Sequence, residues 1–285
     1  MTEKRDNFTG HWLVSEYVYN PNGAFAGIVR QRRYLEAQPD GRTRVIQHCN
    51  PQPELASHPM GLFNGERVFD LSLEGRRRLY HGPDVIGMGL PWGESAMTGR
   101  GVWERFGHNF TSFAVLPTPQ RQITGGKFYN AGEIIANIIG IAVPEVADGG
   151  ANQFPDFIGN YQASQVADTW SGTVARYDVN GTQVSEKTLD RRYVADGWED
   201  HSDGAINTVI LQKDANRMRV SGSAVGIGKR LGWLLEMTLV PAPNQTIEAM
   251  EVLDNSGQNL IGLIRLDTDG VLSGVTVIKL KPNMT

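Results

Sequence analysis

Residues 12–34 read WLVSEYVYNPNGAFAGIVRQRRY, and a second version, WSGTVARYDVNGTQVSEKTLDRRY, occupies residues 170–193. In both, Trp12 or Trp170 is followed seven residues later by Tyr19 or Tyr177, and eleven residues later by the Gly of an Asn-Gly pair, Gly23 or Gly181. Arg-Arg-Tyr closes each copy, at 32–34 and at 191–193, with one extra residue of spacing in the second. Asn-Gly between two runs rich in Trp, Val and Tyr is a hairpin signal, because both residues tolerate positive φ. The stretch therefore reads as a β-hairpin, and its recurrence as an internal duplication at an offset of 158 residues. That offset suits two similar domains within 285 residues.

The rest of the first half continues as strands and turns. Gln38-Pro-Asp-Gly41 places Pro and Gly where turn geometry wants them. Residues 43–49 then give a third strand of a meander. Residues 82–93 read as a loop, and 97–116 as two strands broken near Gly107. Roughly eight strands at 8–12 residue spacing are expected before residue 130, the pattern of a closed antiparallel barrel or sandwich. Ile134, Ile135, Ile138 and Ile139 fall on one helical face and predict a short helix over 131–139. The reading is all-β: two tandem antiparallel barrels, 1–143 and 157–285, joined by a linker at 144–156.

Composition narrows the function classes. The net charge is -4, and the first 150 residues are neutral, with 15 Lys+Arg against 15 Asp+Glu, so no basic face for nucleic acid is implied. Cys49 is the single cysteine, which rules out an internal disulfide and a Cys-based zinc site. The apolar run 134–143 is too short to span a bilayer. The start MTEKRDN has no apolar h-region, so no signal peptide is expected and the cytoplasm is the default location. No His-x-His or His-Glu-x-x-His spacing occurs, and Gly87-Met-Gly89 is not followed by a helix, so no metal or dinucleotide cofactor is expected.

Phe8-Thr-Gly10-His-Trp12 sets a Gly-x-Trp at the opening of the first strand. This resembles the calycin superfamily, the lipocalins and their bacterial relatives. The second half offers Phe157-Ile-Gly159-Asn-Tyr161, so either Tyr161 or Trp170 corresponds to Trp12. Two lipocalin-like barrels in tandem are similar in plan to the hydroxyneurosporene synthase/AttH type and to related decalin-forming cyclases. The resemblance implies a barrel pocket for an apolar small molecule such as a terpenoid, polyene or polyketide. It carries no catalytic residue to this chain.

The residues themselves nominate a site. Five of the six histidines, His11, His48, His58, His81 and His108, lie in the first half. On an uninterrupted strand Glu104, Phe106, His108 and Phe110 share one face, mixing aromatics with a carboxylate and an imidazole. Glu104 and His108 are the expected acid/base pair, with His48 assisting. The opposite reading puts Glu104 and His108 toward solvent and Trp103, Gly107 and Phe113 toward the core, and a bulge at Gly107 would break the register.

Trp103, Trp92, Phe106 and Phe110 are expected to shape the wall, and Glu94 to sit in a loop over the barrel mouth with Trp92 as a lid. Arg32 and Arg33 point to opposite faces, so one is expected inside, with Arg33 a candidate ligand contact; the calycin resemblance implies that such an Arg packs on the opening Trp. The expected function is a cofactor-independent cyclase, isomerase or hydratase that shapes a hydrophobic substrate and supplies acid/base groups. The alternative is a carrier or chromophore holder. The expected partners are the small molecule and, at most, a second copy in a homodimer.

Overall fold

Asn20 to Gly23 turns the chain through a hydrogen bond from Gly23 N to Asn20 O, with Gly23 at φ 85°, and the second copy repeats it from Gly181 N to Asp178 O, with Gly181 at φ 77°. Positive φ is cheap only without a Cβ, which is why both copies keep Gly there. The structure, a computed structural model, describes residues 8–146, 153–156, 163–214, 217–254 and 256–283.

Two compact units divide at Phe157/Ile158. The first is a ten-strand barrel: β1 (Gly10–Tyr19), β2 (Phe25–Ala37), β3 (Thr43–Pro51), β4 (Gly65–Glu74), β5 (Arg77–His81), β6 (Val85–Trp92), β7 (Ala96–Trp103), β8 (His108–Thr118), β9 (Arg121–Asn130) and β10 (Glu133–Pro144). The second repeats the plan with β11 (Thr169–Tyr177), β12 (Gln183–Val194), β13 (Gly197–Ser202), β14 (Ala205–Asp214), β15 (Arg217–Gly222), β16 (Val225–Leu231), β17 (Leu234–Ala242), β18 (Gln245–Leu253), β19 (Leu260–Thr268) and β20 (Val271–Pro282). In each barrel every strand pairs antiparallel with the next, and the first pairs with the last. Closure removes the exposed strand edges an open sheet would leave.

The duplication is visible in the hydrogen-bond register. Trp12 pairs with Arg33 on one side and Pro144 on the other; Trp170 pairs with Arg191 and Pro282. A bulge falls between Val18 and Tyr19 in β1 and between Arg176 and Tyr177 in β11. This settles Trp170, not Tyr161, as the counterpart of Trp12; Tyr161 lies outside the described residues. It also explains the extra residue in the second Arg-Arg-Tyr. Arg191 occupies the register position of Arg33, so the second motif is displaced by one residue along the strand.

Two expectations are corrected. Residues 131–139 form no helix: the turn at Ala131–Gly132 leads into β10. Ile138 lines the barrel interior while Ile139, on the opposite face, is also fully buried. A strand buried on both faces loses its alternation and reads as a continuous apolar run, which mimics a helical face. Residues 82–93 are not a loop, since they contain β6.

The second barrel's lumen is crossed by a charge cluster. Arg191, on β12, donates in bidentate fashion to Asp200 of β13 at 2.7 and 2.8 Å and to Glu251 Oε1 of β18 at 2.6 Å. Its guanidinium lies 4.6 Å from the Trp198 ring centroid. The recurring arginine thus stacks on Trp198, not on the opening Trp170. Burial opposes the Arg191 charge, but the two carboxylates outweigh it and raise its pKa well above the usual value. Burial also pushes the Tyr193 phenol up to about 12.

Removing Arg191 leaves two carboxylates facing each other without their cation. Arg191→Met is expected to cost about 3–5 kcal/mol, as breaking a buried pair does. Arg32→Met, which breaks a half-exposed pair with Glu145, is expected to cost under ~1 kcal/mol. Urea unfolding measures both, and equal small losses would contradict the structural role given to Arg191.

Candidate ligand site in the first barrel

Side chains alternate along a strand, so the register fixes which residues enter the lumen. From β1 the lumen receives Glu16, from β2 Val29, Gln31, Arg33 and Leu35, and from β3 Val45, Gln47 and Cys49. Together with residues of β4 to β10 they line a cavity of about 210 Å³, partly open to solvent.

Glycines make this space. Gly87 pairs with Gly101, and Gly89 with Gly99, across β6 and β7. The Tyr80 ring of β5 and the Phe110 ring of β8 lie on this bare patch. A Cβ on Gly89 would come within 2.5 Å of the Tyr80 hydroxyl oxygen, and one on Gly101 within 2.8 Å of the Phe110 ring. Glycine in a strand usually weakens it, and here it marks close approach.

The cavity has two characters. One wall is aromatic: Phe63 meets Trp103 edge-on at 5.4 Å and Phe128 at 5.3 Å, with Phe110 at 6.4 Å from Trp103. Phe63 arrives from the 3-10 turn Pro59–Phe63 between β3 and β4. The other wall carries Glu16, Gln31, Arg33, Gln47, Gln122 and Thr124. Arg33 donates to Glu16 Oε1 at 3.2 Å and to Gln31 Oε1 at 3.1 and 3.3 Å. Burial raises the Glu16 pKa above its ordinary 4.5, although Arg33 and Gln31 pull it down. The Glu16 side chain keeps 16% of its surface, and it lines the cavity. The Cys49 thiol, at the same wall, is pushed up to about 12 chiefly by burial, so it is no nucleophile at neutral pH.

The expected site residues divide. Trp103, Phe110 and Arg33 line the cavity. Glu104 does not join them: a 3-10 turn, Glu104–Phe106, ends in left-handed Gly107 and interrupts the strand, leaving Glu104 exposed. His108 starts β8 and is buried, 5% exposed, with neither ring nitrogen hydrogen-bonded; it is not among the residues lining the cavity.

Glu104 and His108 are therefore not a pair on one face. Phe106 packs at 4.6 Å on Phe63, behind the aromatic wall. His48 alternates outward between the inward Gln47 and Cys49, is exposed, and sits 3.5 Å from Glu66. Trp92 is no lid: it ends β6, fully buried, and donates Nε1 to Thr98 Oγ1 at 2.8 Å. Glu94 is exposed in the β6–β7 turn, away from the cavity lining.

Sequence reading missed Glu16, Gln31, Gln47, Gln122 and Thr124. The signal was present in parity. Trp12, Val14, Glu16 and Val18 share a face of β1, so a lone carboxylate stood among apolar inward positions.

No family model matches this chain, and no curated protein does. Among solved structures, a protein of unknown function from the DUF3598 family of Nostoc punctiforme matches with TM-score 0.66 at 11% identity, over 99% of this chain and 100% of that one. That similarity shows the fold, a tandem pair of lipocalin-like barrels. A double mutant of transferrin binding protein B from Haemophilus parasuis matches over 96% of this chain and 76% of its own at 7% identity, with TM-score 0.26. No helix among the described residues is long and apolar enough to cross a membrane.

A carboxyl with a raised native pKa binds its proton more tightly folded than unfolded. Its contribution to stability therefore falls as pH rises from about 4.5 through the raised value, and is constant beyond it. Subtracting the unfolding free energy of Glu16→Gln from that of the wild type at each pH should give a difference that declines over this window. A flat or rising difference would show that Glu16 is not held in a desolvated site.

Proposed function

We propose that this protein binds a mostly apolar small molecule inside the first barrel. The observation that carries the reading is the mixed lining of the cavity: an aromatic cluster around Trp103 and Phe63 together with a few polar groups around Glu16. That is the usual make-up of a small-molecule site, an apolar body with a few orienting groups. An apolar protein cavity of about 150 Å³ accepts benzene, so the 210 Å³ here suits a molecule of roughly ten non-hydrogen atoms. Among the classes the sequence suggests, this favours a small terpenoid over a long polyene.

A second reading is catalysis of the hydroxyneurosporene synthase/AttH kind, a cofactor-independent isomerisation, cyclisation or hydration. Glu16 favours it. A carboxyl whose pKa burial raises, at the wall of a cavity, is placed to give and take a proton at a bound molecule. Glu16 takes the acid/base role that Glu104 and His108 do not share a face to fill.

Titration calorimetry with p-cymene tests the binding reading. The wild type is expected to bind with a dissociation constant on the order of 10–100 μM. Gly99→Leu, which fills the lumen beside Ser112 Oγ and the Tyr80 hydroxyl, is expected to bind at least about tenfold more weakly. No heat from the folded wild type would overturn the reading. Incubating the protein with limonene in D2O tests catalysis: deuterium entering the alkene with wild type but not with Glu16→Gln supports it, and no incorporation with either leaves a carrier.

A further inference from the structure

The polar wall holds a buried hydroxyl with nothing to bond. Thr124 lines the cavity, is 7% exposed, and its Oγ1 has no hydrogen-bond partner. A buried hydroxyl normally finds one, so this unpaired oxygen points to a ligand group.

Its position follows from β10. Gly140 pairs with Glu16 of β1 on one side and with Thr124 of β9 on the other. A Cβ at 140 would lie 2.8 Å from Thr124 Oγ1 and 3.0 Å from Glu16 Cγ. The missing side chain lets a hydroxyl and a carboxyl approach each other across the intervening strand. Gln47 adds a side-chain amide to the same wall.

The charge next to Thr124 is already matched. Glu16 has Arg33 at 3.2 Å, and Gln31 accepts from the same guanidinium. A ligand carboxylate placed at Thr124 would set a second negative charge beside a carboxyl already removed from water. A hydrocarbon would leave the hydroxyl unsatisfied. A neutral oxygen avoids both: it accepts from Thr124, and a hydroxyl also donates to Glu16.

We propose that the ligand is a neutral amphipathic molecule, an alcohol or ketone, whose oxygen is held between Thr124 and Glu16 while its apolar body rests on Trp103 and Phe63. This rests on the binding reading above and names its ligand class.

Calorimetry with three compounds of one skeleton tests it: p-cymene, 4-isopropylbenzyl alcohol and 4-isopropylbenzoate. The alcohol is expected to bind at least about tenfold more tightly than either of the others, because a site with a polar group aimed at a ligand oxygen rejects analogues that lack it. Thr124→Val is expected to bring the alcohol to within about threefold of p-cymene. Thr124→Ser, which keeps the hydroxyl, is expected to restore the preference, so a folding defect is told apart from a lost contact. Equal binding of p-cymene and the alcohol, tightest binding of the carboxylate, or an unchanged preference in Thr124→Val overturns this inference alone. Absence of binding by all three overturns the binding reading with it.

Discussion

Each barrel exists because its first strand hydrogen-bonds to both the second and the last. Trp12 sits between Arg33 and Pro144, and Trp170 between Arg191 and Pro282. Once these two registers are set, parity decides the rest. A slip of one residue would turn every lumen side chain outward. Glu16, Gln31 and Arg33 enter the first barrel only because closure fixes this register, and the bulge at Val18/Tyr19 accommodates the hairpin that leads into β2.

The same frame holds two different interiors. The inward arginine is kept in both, as Arg33 and Arg191, but its company differs. Across from Arg191 stands Asp200; across from Arg33 stands Gln47. The position of Glu16 is taken by Val174, each four residues after its opening Trp. In the second barrel Arg191, Asp200, Glu251 and Trp198 knit the lumen across its width, an arrangement whose parts are costly to remove singly. In the first, glutamine replaces the carboxylate, and the glycine ladder of β6 and β7 leaves space where side chains would meet. Divergence between the halves thus runs through the filling and not through the frame.

Much of the frame was legible in the sequence. The repeat from Trp12 predicted the hairpins, the duplication and the all-β class, because turn residues act locally. What failed depended on tertiary context. The isoleucines of β10 looked helical because burial on both faces erases alternation. Glu104 and His108 looked like partners because parity was counted through Gly107, whose left-handed conformation after a 3-10 turn resets it. Trp103, Phe110 and Arg33 stood out because aromatics and a repeated Arg-Arg-Tyr are conspicuous. Glu16 and Thr124 did not, since they lie on strands far apart in sequence, and what makes them a site is Gly140 lying between them.

The central claim is that the first barrel encloses usable space. Crystals pressurised with xenon test it directly, because xenon enters apolar protein cavities without needing any particular chemistry. Xenon density is predicted inside the first barrel, against Trp103, Phe63 and Gly99. A first barrel without xenon, with Tyr80 and Phe110 collapsed across the space above the glycines, would contradict the account.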